Sequence, residues 1–200
     1  MERRAFVRPY GDVVYRRVFV IAGEGKVSEN EYFRQFANLD KWGVAVKIEL
    51  PRNNHKSAPH QVLKTIQTYL TGNPLRRGDQ AWIVVDMDTW QDSEIQKLYD
   101  WAKSNLKQFG IAVSNPQFEY WLLLHYEDGN GIKSSDHCIT RLKKWLPNYD
   151  KTMKSLNFTQ GSVFDAIDRA KKRNCPECRD WPRNIGQTTV YKLVEQIINA

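Results

Sequence analysis

The chain is poor in features that would place it in an oxidising or membrane environment. It has only three cysteines in 200 residues, too few for a disulfide framework and suited to a reducing compartment. Its longest apolar runs, over 18–22, 82–85 and 120–124, fall far below the ~20 residues of a membrane helix. Residues 1–10 carry charge but no apolar stretch and no small-residue cleavage site, so no secretion signal is expected. Internal repeats, low-complexity tracts, a long basic tail and a nucleotide-triphosphate loop are also missing. These absences predict a soluble, cytoplasmic chain with no membrane partner.

What is present is an ordinary globular composition, 41% hydrophobic and 26% charged, with a net charge of +7. That content supports a core. The charge favours a polyanionic partner, because Lys and Arg on phosphate release counterions. A solvated basic surface without a partner accounts for the charge equally well. The basic residues are dispersed, from Arg3, Arg4, Arg8, Arg16 and Arg17 through Arg76 and Arg77 to Lys143, Lys144, Lys171, Lys172 and Arg173.

Strands and helices alternate along the first half. Val13-Val14-Tyr15 and Val18-Phe19-Val20-Ile21 read as a buried strand ending at Gly23-Glu24-Gly25. Ser28 is placed to cap a helix over 29–39, with Glu31 completing a capping box and Tyr32, Phe33 and Phe36 forming its apolar face. A strand over 44–50, broken at Pro51-Arg52-Asn53-Asn54, precedes a helix over 59–70 with Val62, Ile66 and Tyr69 on one side. The run 81–85 reads as a buried parallel strand. A helix over 92–108 and a strand over 111–113 follow. This order predicts an α/β fold, a mostly parallel sheet with helices on both faces. Helices are expected over 116–126, 136–145, 162–173 and 188–198. They form a helical extension, about 132–200, on a core of about 13–127 within one domain, 1–200.

Ligands of open α/β sheets gather at the carboxyl ends of the strands. Glu24 follows the first strand, and Asp86 and Asp88 follow the third. Strand alternation projects Asp86 and Asp88 to one side, where paired carboxylates call for a cation such as Mg²⁺. Asp-x-Asp is also a common solvent-exposed turn. Its position beside Glu24, in a basic protein, suits a phosphodiester site, with Glu24 as ligand or proton carrier.

Strand-Glu-Gly followed by strand-Asp-x-Asp resembles the Toprim pattern. Three segments resemble the RloB-like family more closely: Gly23-Glu24-Gly25-Lys26-Val27-Ser28-Glu29-Asn30-Glu31-Tyr32-Phe33, Val84-Val85-Asp86-Met87-Asp88, and Ser114-Asn115-Pro116-Gln117-Phe118-Glu119-Tyr120-Trp121-Leu122-Leu123-Leu124-His125. Weaker agreement runs through Tyr149-Asp150-Lys151 and 188–194. Gln117 stands where the family suggests a small residue or Cys, and Ser28 where Thr is commoner.

The resemblance implies a Toprim-like, Rossmann-like fold and a Mg²⁺-dependent (or Mn²⁺-dependent) endonuclease acting on DNA or RNA, including tRNA. It also implies a role in bacterial anti-phage defence and abortive infection beside an RloA-like ATPase. Glu24, Asp86 and Asp88 become the metal-holding acidic triad, and Glu29, Glu119 and His125 family-specific positions near the site. Glu29 also fits as a helix-dipole partner, and His125 as a core histidine. A buried Glu119 would be costly without a cation partner, which favours a functional role for it. A non-catalytic nucleic-acid- or ATPase-binding signalling module is the alternative; a primase or other phosphotransferase ranks lower. Homo-oligomer formation is left open.

Cys175-Pro176-Glu177-Cys178 is half a zinc knuckle, which His137 or Cys138 would have to complete. A turn with two free thiols is expected, not a zinc site. Trp42, Trp90 and Trp181 follow loops and could stack on bases. Lys151 is a candidate phosphate contact.

Overall fold

The computed structural model describes residues 16–24, 27–51, 58–88, 90–150 and 158–200. Arg3, Arg4, Arg8, Val13, Val14, Tyr15, Gly25, Lys26, Arg52, Asn53, Asn54 and Lys151 lie outside the described residues.

Five strands, β1 (Arg17–Gly23), β2 (Val46–Glu49), β3 (Gln80–Asp86), β4 (Phe109–Asn115) and β5 (Gln187–Thr188), form one sheet in the order β2-β1-β3-β4-β5. The first four are parallel. Two-residue β5 runs antiparallel to β4, pairing Ser114 with Thr188 and Asn115 with Gln187. The α/β, mostly parallel expectation therefore holds, and β5 is an addition that takes Gln187 and the first residue, Thr188, of the stretch read as helix. From β1 the chain moves outward to β2, then returns past β1 to β3. The reversal opens a crevice between β1 and β3, where open sheets bind ligands.

Strand alternation divides the core. Phe19, Ile21, Trp82, Val84 and Ala112 point to one face, Val20, Ala22, Ile83, Val85 and Val113 to the other. The second face is covered by α3 (Pro59–Gly72) through Val62 and Ile66, and by α4 (Asp92–Lys103) through Ile95 and Leu98. The first is covered by α1 (Ser28–Arg34), α5 (Phe118–Leu123), α6 (Ser135–Trp145), α7 (Gln160–Arg173) and α8 (Val190–Ile198). The C-terminal helices thus share a core with β1 and α1. Among the described residues no helix is long and apolar enough to cross a membrane.

Two helices differ from expectation. The helix expected over 29–39 stops at Arg34, passes through a 3₁₀ turn at Gln35–Ala37 and restarts as α2 (Leu39–Trp42). Asn38 is extended and its side chain accepts from the Lys41 amide, so the restart has its own cap. Ser28 lies inside α1 and does not cap it, and Glu31 pairs with Arg34 at 2.5 Å instead of closing a capping box. The helix expected over 92–108 ends at Lys103. There the Ser104 hydroxyl donates to the Trp101 carbonyl at 2.6 Å, and Asn105 and Gln108 bond each other, side-chain bonds that compete with helix continuation.

Candidate functional site

The site forms where β1 and β3 end beside the crevice. The Glu24 amide donates to the Val84 carbonyl at 3.3 Å, carrying the β1–β3 ladder one residue past Gly23. Asp86 is the last residue of β3. The Met87 amide donates to the carbonyls of Ser114 (2.9 Å) and Pro116 (3.1 Å), tying the turn to the end of β4. The strand therefore ends before Asp88, which sits in the turn that follows, and the charge of Asp88 acts on both Asp86 and Glu24. Asp86 is half-buried. Asp88 is exposed and accepts from the Ser135 hydroxyl at 3.2 Å, at the start of α6.

Two more carboxylates come from helices. Glu29, buried in the first turn of α1, lies against Gly23: a Cβ on that glycine would sit 3.6 Å from Glu29 Cβ. Glu119, buried in the first turn of α5, accepts a 2.8 Å hydrogen bond at Oε1 from the Tyr149 hydroxyl. Tyr149 in turn lies 3.1 Å from the Ser28 hydroxyl of α1. Gln117, where a smaller residue was expected, donates to the Ser135 carbonyl at 3.0 Å and joins α5 to α6.

The acids feel one another. Burial pushes the Asp86 carboxyl well above its usual range, and the charges of Glu29, Glu24, Glu119 and Asp88 push the same way. Glu24 is raised to about 8, first by burial and then by Glu29 and Asp88. The nearby Trp90 indole and the Asp86 backbone act in the opposite direction. Even so, Glu24 Oε1 and Trp90 Nε1 are buried without a hydrogen-bond partner of normal geometry among the described residues. Burial, with the charge of Glu119, raises the Tyr149 phenol, which stays a proton donor.

Among the described residues no three His, Cys, Asp or Glu side chains already form a coordination shell. The donor chemistry nevertheless fits a hard divalent cation: these are carboxylate oxygens with no imidazole or thiol between them, and Glu24 Oε1 is orphaned. Glu24, Asp86 and Asp88 are the residues that would hold it. A groove of about 630 Å³ opens elsewhere, at the start of β3 and β4, lined by Gln80, Trp82, Phe109 and Tyr191. No cluster acid lines it, so its size carries no weight for the chemistry.

His125 is placed apart from the acids, in the aromatic core. Its Nδ1 is 3.0 Å from the Trp121 carbonyl and its Nε2 3.2 Å from the Tyr32 hydroxyl, with Phe158 4.0 Å away ring to ring. A carbonyl only accepts, so Nδ1 carries the proton and Nε2 accepts from Tyr32. Burial holds the ring neutral, its pKa lowered to about 3. The charge that acts on it is Arg169, not a carboxylate. It supports α1 through Tyr32.

The proposed base-stacking tryptophans fare differently. Trp42 and Trp181 are buried, the former donating to the Gln35 carbonyl, so neither offers a free face. Only Trp90, half-buried beside Glu24, remains near the site. Cys138 is buried in α6 near Glu119, its thiol pushed up to about 12, while Cys175 is exposed and Cys178 half-buried after α7. Ser28, Tyr149 and Ser135 were missed as site residues in the sequence, and Trp90 was named only for base stacking. The Tyr-Asp-Lys stretch at 149–151 and the Ser28 segment of the family resemblance were the hints.

The family model described as RloB-like protein matches residues 19–197. The chain belongs to the RloB-like family. No curated protein and no solved structure matches it.

Proposed function

We propose that this protein is a divalent-metal-dependent nuclease, hydrolysing phosphodiester bonds of DNA or RNA as the effector of a bacterial anti-phage defence system with an RloA-like ATPase. The observation that carries the reading is the gathering of Glu24, Glu29, Asp86, Asp88 and Glu119 at the strand-reversal crevice, close enough that the charges of the other four act on Asp86. Mutual repulsion among them in a chain of net charge +7 has a function if a cation and a phosphodiester take up the negative charge.

Bound Mg²⁺ or Mn²⁺ would neutralise the scissile phosphate and make a water a stronger nucleophile. Glu24 and Asp86, at the ends of adjacent strands, would hold the cation. Asp88, oriented by Ser135, completes the set from the turn. Glu29 and Glu119 stand on the α1 and α5 side, where a carboxylate would either add to the oxygen ligands of the cation or take the proton released when water attacks phosphorus. Hydrolysis leaves a phosphate monoester on one fragment and a hydroxyl on the other.

A second reading, a non-catalytic signalling module that binds nucleic acid or the ATPase, draws on the lack of a ready three-ligand shell among the described residues. The test is incubation of plasmid DNA and total tRNA with Mg²⁺, Mn²⁺ or chelator, for the chain alone and with the ATPase and ATP. Metal-dependent cutting supports the nuclease. Binding to the partner with no cutting in any arm favours the module.

A further inference from the structure

We propose that Tyr149 is a positioning residue of the carboxylate cluster. Its hydroxyl, held between Ser28 of α1 and Glu119 of α5, sets the Glu119 carboxylate for the divalent cation. The proposal rests on the nuclease reading and assigns a part to a residue outside the acidic set.

Tyr149 follows α6 on a turn in which its amide donates to the Leu146 carbonyl at 2.9 Å. It is only 2% exposed, so its hydroxyl faces protein. A phenol has one proton, and Tyr149 gives it to Glu119 Oε1, so the Ser28 hydroxyl donates to Tyr149. The chain of bonds therefore runs from Ser28 to Tyr149 to Glu119, over 3.1 Å and then 2.8 Å. It commits Oε1 of Glu119 and so fixes how the carboxyl plane is turned.

Tyr32 of α1 meets Phe118 of α5 edge-on at 5.7 Å, and Phe33 meets Phe118 at 6.0 Å. Ring contacts fix the separation of the helices but not the rotation of a carboxylate. The hydroxyl bridge spans 121 residues between Ser28 and Tyr149 and meets α1 one residue before Glu29. The node thus ties Glu119 to the turn of α1 that carries Glu29. The aromatic ring alone would fill the same core volume, so the hydroxyl has a job separate from packing.

The experiment uses the full chain and Mn²⁺ as probe. Free Mn²⁺ is titrated by electron paramagnetic resonance, alongside cleavage kinetics and thermal midpoint, for wild type, Tyr149→Phe, Ser28→Ala, Glu119→Gln and Tyr149→Phe/Glu119→Gln. Groups that orient metal ligands typically contribute tenfold or more, so Tyr149→Phe should weaken Mn²⁺ by about tenfold and lower kcat with KM for nucleic acid unchanged. Ser28→Ala should weaken Mn²⁺ by about twofold to tenfold, the worth of one net hydrogen bond. Tyr149→Phe should add nothing in the Glu119→Gln background. A Tyr149→Phe protein with a lower thermal midpoint but wild-type Mn²⁺ affinity and kcat overturns the proposal. If Tyr149→Phe does not fold, an unchanged Mn²⁺ affinity in Ser28→Ala overturns it. A wild type that binds Mn²⁺ through Tyr149 yet cuts nothing defeats the nuclease reading and leaves this one standing. A wild type that does not bind Mn²⁺ defeats both.

Discussion

The Glu29 side chain lies along the missing side chain of Gly23: a Cβ there would be 3.6 Å from Glu29 Cβ, 3.8 Å from Cγ and 3.9 Å from Cδ. The end of β1 and the start of α1 are thereby packed so that a buried helix carboxylate faces the strand ends. These distances are ordinary contact, so Gly23→Ala should keep Mn²⁺ affinity within about twofold. Gly23→Val forces extra methyls into the space of the carboxyl. Overpacking of this kind costs 1–3 kcal/mol, and we expect about a tenfold loss of affinity in the Mn²⁺ titration.

Glu24 makes stability depend on pH. Its carboxyl titrates at about 8 in the folded chain against 4.5 ordinarily, so the native state holds the extra proton between those values. Stability therefore falls as pH rises through this window and levels off above 8. Without divalent cations, its contribution should decline by about 2 kcal/mol between pH 6 and 8.5. Guanidinium unfolding of wild type against Glu24→Gln at both values reads the difference. Added Mg²⁺ should remove most of the decline in wild type and little in the variant.

His125 acts in the opposite direction and lower in pH. Its folded pKa of about 3 lies below the ordinary 6.5, so the unfolded chain binds the proton first and stability falls as pH drops below 6.5. Between pH 7.5 and 5 the loss should be about 2 kcal/mol. Relative to His125→Gln, the wild-type advantage in unfolding free energy should shrink by that amount. Cleavage at pH 7.5 should persist in His125→Gln, because the ring serves the core and not the acids.

Gly110 is opposite Trp82 in the β3–β4 ladder, and a Cβ on it would lie 2.6 Å from three atoms of the indole. Gly110→Ala should therefore destabilise by about 1–3 kcal/mol, as overpacking does. Trp82→Leu in the same chain should recover part of it, measured as guanidinium midpoints.

The local signals in the sequence were sufficient for the sheet. Continuous apolar runs at 18–22 and 81–85 became β1 and β3, and their polar ends at Glu24 and Asp86 became the site, because buried parallel strands need no alternation and end where polarity begins. Segments governed by distant partners were not legible. Ser28 looked like a cap, but its hydroxyl bonds Tyr149, 121 residues away. Two-residue β5 is too short to show periodicity and exists through its pairing with Ser114 and Asn115. Trp42 and Trp181 followed loops yet were core, since a loop boundary says nothing of what folds over it.

The central claim is tested most directly by Mg²⁺-dependent cleavage of plasmid DNA and total tRNA, with the ATPase partner and ATP present, comparing wild type with Asp86→Asn. The substitution keeps the shape of the side chain and removes the charge at the hub of the cluster. The account predicts cutting by wild type that chelator abolishes, and a loss of at least a hundredfold in Asp86→Asn with the fold intact, as for removal of a metal-orienting or metal-holding group. Equal cutting by both proteins, or none by either while the partner is bound, would contradict it.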